Sequence, residues 1–104
     1  MHAPLANPDI VRFHPPPKHL DKPEAKLWNE LVNTYVLDDC GSLELLQSAM
    51  EARARARRCR ESIDKEGECV RDFRGTLKPH PLINAEKSAR SSYVGLMRML
   101  RLKV

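Results

Sequence analysis

Arg53, Arg55, Arg57, Arg58 and Arg60 place five guanidinium groups within eight residues. A guanidinium is a planar, permanently charged fork that meets phosphate or carboxylate oxygens two at a time. The chemistry open to this cluster is therefore anion recognition: the phosphates of a polyanion, or the carboxylates of neighbouring subunits, such as Glu44 or Glu51. On a helix, Arg53, Arg57 and Arg60 share one face, whereas Arg55 and Arg58 lie nearly opposite. All five cannot meet one ligand on one chain.

Arg71, Arg74, Lys78 and His80 form a second basic cluster around the stretch Gly75-Thr76-Leu77-Lys78-Pro79-His80-Pro81-Leu82. Pro79 and Pro81 each fix φ and push the preceding residue, Lys78 or His80, toward an extended conformation. The stretch therefore reads either as a stiff strut presenting a cation and an imidazole to phosphates, or as a junction that positions the next helix. In the second case Pro81 would stand in the first helical turn, where a missing N–H costs nothing. His80 is also a possible general base, with Asp72 as a nearby acid. No Gly-x-Ser-x-Gly, phosphate-binding glycine loop or Cys/His spacing supports catalysis, so no catalytic residue is expected. Cys40, Cys59 and Cys69 are odd in number and widely spaced, which argues for free thiols and against a metal site or cofactor.

The elements that position these clusters read as helices. Asp21-Lys22-Pro23-Glu24 combines an N-cap acid, a first-turn proline and a carboxylate three residues after the cap. The first helix should start there, with Leu27, Trp28, Leu31, Val32 and Tyr35 as its apolar stripe and Trp28 as core anchor. Asp38-Asp39-Cys40-Gly41-Ser42 is turn chemistry, with Asp39 or Ser42 as the next N-cap. From Leu43 to Glu66 neither proline nor glycine interrupts, which predicts one long helix of about 36 Å. Within it Leu45, Ala49, Ala52, Ala56, Cys59 and Ile63 recur at spacings of 4, 3, 4, 3 and 4, a seam of mostly small side chains suited to close approach of another helix and so a candidate oligomer interface. Leu43, Leu46 and Met50 add a second apolar face at the front of this helix.

Gly67 supplies a C-cap, and the segment from Cys69 to Phe73 reads as a short extended piece before the Gly75 turn, with room for two very short strands. A last helix is expected from Pro81 or Leu82 to Arg101, burying Leu82, Ala85, Ala89, Tyr93, Leu96 and Leu100. The fold class is thus all-α, with a helical hairpin of the first helix and the long one, a loop or minimal β-element and a C-terminal helix.

The chain has 104 residues, and its first twenty hold five of its eight prolines, so residues 1–20 read as a flexible arm and 21–104 as a single domain. Ile10-Val11-Arg12-Phe13 within the arm could add to a partner's sheet edge or groove. With 31% charged and 5% aromatic residues the core is thin, and association with copies of itself would help. There is no apolar run of 18 residues and no secretory signal pattern, so a soluble, intracellular protein without a membrane partner is expected. Charge is uneven: residues 21–52 carry seven acids and two bases, residues 53–79 nine bases and five acids, and residues 80–104 five bases and one acid. Acidic and basic ends on one small chain suit packing of copies, a polyanion, or both.

Several segments, in order, carry a family resemblance: Pro15-Pro16-Pro17-Lys18-His19-Leu20, Trp28, Leu43-x-Leu45-Leu46, Ile63-Asp64-Lys65-Glu66-Gly67, Gly75-x-x-Lys78-Pro79-His80-Pro81, Ala89-Arg90 and Leu100-Arg101-Leu102. Over residues 15–103 the chain resembles the small subunit of tailed-bacteriophage terminases. The resemblance implies a closed homo-oligomeric ring that recognises double-stranded viral DNA and regulates a large terminase subunit bearing ATPase and nuclease activity. It would act in the cytoplasm of the bacterial host during virion assembly and perform no bond chemistry itself. The alternative is a small helical adaptor that binds only protein.

Overall fold

The computed structural model describes residues 14–35, 37 and 39–101. These residues build α1 (Lys22–Tyr35), α2 (Cys40–Glu66), β1 (Cys69–Arg71), β2 (Leu77–Pro79) and α3 (Ile83–Leu100). The architecture is mainly helical with one small β-ribbon, as the helical periodicities require.

Asp39 starts α2 from an extended backbone and accepts the Ser42 amide on Oδ2 at 3.0 Å, satisfying one of the helix's unpaired donors. Gly67, at φ +92°, ends α2 and returns its N–H to the Ile63 carbonyl at 2.7 Å. The chain then turns back through an antiparallel ribbon pairing Cys69 with Pro79, Val70 with Lys78 and Arg71 with Leu77. The ribbon's turn is fixed by Gly75, at φ +79°, whose N–H reaches the Asp72 carbonyl at 2.9 Å while the Asp72 N–H reaches the Thr76 carbonyl at 3.0 Å. That is a three-residue hairpin loop closed by a left-handed glycine.

α3 runs back along α2, and this pairing is far more extensive than that of α1 with α2. The principal helical hairpin is therefore α2 with α3, and not the expected pairing of α1 with α2. The core sits where three parts meet: Trp28, Leu31 and Val32 from α1, Leu46, Ala49 and Met50 from the front of α2, and Met97 and Leu100 from the end of α3, with Leu37 from the connection. Leu46, Ala49 and Met50 are wholly buried, as is Leu37. Trp28 is the anchor its spacing predicts, and its indole N–H donates to the His14 carbonyl at 2.8 Å.

Residues 14–20 meet the helices through the Trp28 contact and through His19 against Glu51 at 2.6 Å, and within the segment the Leu20 amide turns back to the Pro17 carbonyl. Ile10-Val11-Arg12-Phe13 lies outside the described residues. α3 starts later than its proline suggested: Leu82 is the cap residue and Ile83 opens the helix, so Pro81 precedes the first turn.

The seam expected between copies is largely covered within the chain. Ala49, Ala56, Cys59 and Ile63 are buried, and Leu45 and Ala52 are half-buried, because the small side chains let α3 approach closely along α2. The spacing correctly marks a helix-packing face, but its partner here is the chain's own helix.

Candidate nucleic-acid interface

The α2 arginines do not stand free. Glu24, on the first turn of α1, is fully buried and accepts from Arg53 Nη1 at 2.7 Å and Arg57 Nη2 at 2.9 Å. Arg57 also meets Asp21 at 2.6 Å and Glu61 at 2.9 Å, and Arg58 meets Asp21 at 2.8 Å. Arg60 reaches Asp64 at 3.1 Å and the buried Glu86 of α3 at 3.3 Å, and Arg90 holds Glu86 at 2.8 Å. The pairing with Glu24 comes first among the effects that raise the Arg57 pKa, so this guanidinium stays charged at every accessible pH. A cavity of about 260 Å³ between α2 and α3 is lined by Arg53, Arg57, Arg60, Arg90 and Tyr93. Its arginines are already charge-compensated.

The row Arg53, Arg57, Arg60 is thus brought together as its helical projection requires, and it ties α2 to α1 and α3. The carboxylates it meets belong to this chain, not to the Glu44 or Glu51 of a neighbour. Asp21 and Glu24 differ from their sequence reading too: both side chains go to α2 arginines instead of closing a capping box on α1. Of the five arginines, Arg55 alone has no ion pair or hydrogen bond among the described residues; it is exposed, and its charge is felt by Glu51 only through space.

The second cluster divides in two. His80 is buried, 4% exposed, and bridges three elements. Its Nδ1 accepts the Leu82 amide at 3.0 Å, so the ring proton sits on Nε2, which donates to Glu66 Oε1 at 2.7 Å. Its own amide donates to the Glu68 carbonyl at 2.7 Å, and its carbonyl accepts from Ile83 at 3.1 Å. Both ring nitrogens are engaged, and Asp72 meets other partners. The Pro-His-Pro stretch is a clasp joining the end of α2 to the start of α3, so His80 is not exposed for a phosphate.

Arg71, Arg74 and Lys78 lie on the ribbon and are exposed. Lys78 meets Asp72 at 3.3 Å. Arg71 Nη1 donates to the Gly75 carbonyl at 2.8 Å, and the Arg74 guanidinium lies 5.3 Å from the centre of the Phe73 ring. Neither arginine faces a carboxylate among the described residues. Asp72 instead accepts the Thr76 and Arg74 amides on Oδ1 at 3.0 and 2.9 Å; the Thr76 hydrogen bond is first among the effects that hold its carboxyl below the usual aspartate range. Phe73, 91% exposed at the tip, and Leu77, 57% exposed beside it, are the functional candidates that sequence reading passed over. An aromatic residue set between a turn-forming Asp and an Arg-Gly pair was the available signal.

Once these pairs are made, Glu30 and Glu44 are among the described carboxylates left with no cation beside them among the described residues. Arg55, Lys65, Arg71, Arg74, Lys87 and Arg98 are among the cations left with no acid. Among the same residues no three His, Cys, Asp or Glu side chains gather as metal ligands, and no helix is long and apolar enough to cross a membrane. Compared with protein-family models, with curated proteins and with solved structures, the chain matches none.

Proposed function

We propose that this protein is a non-catalytic DNA-recognition subunit, resembling the small subunit of a tailed-bacteriophage terminase. It binds double-stranded viral DNA as a closed homo-oligomeric ring and delivers it to a large ATPase/nuclease subunit, in the cytoplasm of the bacterial host. The observation that carries this reading is where the uncompensated charge lies. The α2 arginines are largely neutralised by Asp21, Glu24, Asp64 and Glu86, whereas the ribbon presents Arg71 and Arg74 on an exposed, hydrogen-bonded turn with no carboxylate facing them among the described residues. A two-stranded ribbon is narrow enough to enter a DNA groove, and its cations gain from replacing condensed counterions on phosphates. Arg55, on the outer side of α2, supplies a further uncompensated charge.

Light scattering gives the mass of the assembly, and titration of a labelled duplex at about 50 and 200 mM salt gives the affinity and its salt slope. A single multi-subunit mass with binding that weakens about tenfold or more across that range is expected, from roughly −0.9 in slope per phosphate neutralised. A monomer or dimer indifferent to DNA at both salts overturns the reading. The adaptor alternative draws on one feature, the exposed Val94 and Met99 of α3 together with Phe73. Those side chains would then meet a partner protein, with no affinity for duplex.

A further inference from the structure

We infer that the ribbon tip is a base-contacting element, in which Phe73 stacks on or wedges beside an unstacked nucleobase while Arg71 and Arg74 hold the flanking phosphates; this rests on the DNA-binding reading above. Phe73 is 91% exposed, nearly the whole of a large apolar ring in water. Its position is set by a closed turn: Asp72 accepts the Arg74 and Thr76 amides, Gly75 donates to the Asp72 carbonyl, and Arg71 crosses the strand end to the Gly75 carbonyl. A turn closed this way loses little backbone freedom on binding, which lowers the cost of using its tip residue as an anchor.

The chemistry around the ring selects the ligand. The Arg74 guanidinium lies over Phe73 at 5.3 Å, leaving the ring's opposite face open. Register puts Leu77 across from Arg71, so apolar and cationic groups alternate within one small patch. A protein groove that received Phe73 would have to desolvate two guanidinium groups or supply carboxylates for both. A nucleic acid offers both a π-face for the ring and phosphates for the guanidiniums. Apolar wedges flanked by arginine are a general way to unstack a base step and bend a duplex, and stacking on an exposed aromatic is the general way to hold a single strand. The contact is the same in both cases.

The test uses the full-length protein with a duplex and with a single strand of the same sequence, each carrying 2-aminopurine at successive positions. The fluorescence of that base rises when it unstacks. Phe73→Ala, Phe73→Trp and Arg71→Ala/Arg74→Ala are compared with the unaltered chain, after circular dichroism has shown the same fold, with the mass of each read by light scattering. Phe73→Ala is expected to lose about tenfold in affinity and the fluorescence rise, with Phe73→Trp retaining both. The double arginine variant should reduce the salt slope by about 2. Which strand form gives the rise distinguishes a duplex wedge from single-strand stacking. If the unaltered protein binds DNA and Phe73→Ala binds equally well with the same fluorescence, the inference is overturned while the DNA-binding reading stands. If Phe73→Ala changes the assembly mass and leaves DNA affinity untouched, the tip is a contact between copies and the inference is likewise overturned. If the unaltered protein binds no DNA, the functional reading fails and the inference fails with it.

Discussion

Glu24 and Arg57 meet across α1 and α2 through two contacts, Nη2 to Oε1 at 2.9 Å and Nε to Oε2 at 3.4 Å, with the glutamate fully buried. A carboxylate removed from water is tolerated only when its charge is met and its lone pairs are filled, and here Arg53 fills what Arg57 leaves. This pair decides how α1 lies on α2 at the end remote from the hydrophobic core. The apolar cluster and the ion network thus clamp opposite ends of α1.

Replacing Glu24 by Ala should destabilise the fold by about 2 kcal/mol, because Arg53 loses its carboxylate while Arg57 keeps Asp21 and Glu61, and a cavity opens where the buried side chain stood. Urea unfolding monitored by Trp28 fluorescence measures this directly. An exposed acid such as Glu30, replaced in the same way, should change stability by less than about 0.5 kcal/mol.

The His80 clasp makes a second prediction. His80→Ala removes the acceptor for the Leu82 amide and the donor to Glu66, a loss of about 1 to 2 kcal/mol by analogy with deletion of a helix cap. Amide hydrogen exchange should quicken first at Ile83 to Glu86 and in β2. Uniform exchange across α3 and the ribbon would show that the ring is only a space-filler.

The Asp72 turn predicts a pH dependence with a definite sign. Its folded-state pKa lies below the ordinary value of 3.8, chiefly because the carboxylate accepts the Thr76 amide. A depressed acid stabilises the folded turn when ionised, so the contribution is present above the unfolded-state pKa and is lost as pH falls through the lower, folded-state value. An NMR titration should find the Arg74 and Thr76 amide shifts moving together at a midpoint below 3.8. Asp72→Asn should abolish that shared midpoint.

Gly75 offers a backbone test. A Cβ there would meet no atom within 4 Å, yet the φ of +79° is one that L side chains avoid. Gly75→Ala should therefore cost about 1 kcal/mol through strain alone. NMR shifts confined to Asp72 to Leu77, with unchanged helices, would match this; a shift at the α2–α3 contact would not.

Sequence reading recovered what is decided locally. Asp39 caps α2, Gly67 ends it and Gly75 turns the ribbon, each through dihedral preferences or hydrogen bonds spanning a few residues. Trp28 as anchor, and the front of α2 as a face packed on two sides, followed from helical period alone. The small-residue seam was legible as a packing face, but periodicity says only that a helix lies opposite, and α3 of the same chain takes that place.

The partners of the charged groups were fixed by the tertiary fold. Asp21 and Glu24 fit a capping box by spacing, and only the docking of α1 on α2 brings them to Arg53, Arg57 and Arg58. Lys78 and His80, two residues apart, share a motif, yet one strand step and a chain turn leave the lysine in solvent and bury the imidazole between Glu66 and Leu82. Sequence by itself determined the helices, their caps and the turn, because backbone sterics and apolar period act over neighbouring residues. Which cations remain free to meet an anion was decided by the tertiary structure, because Coulomb and hydrogen-bond partners are chosen by proximity in space.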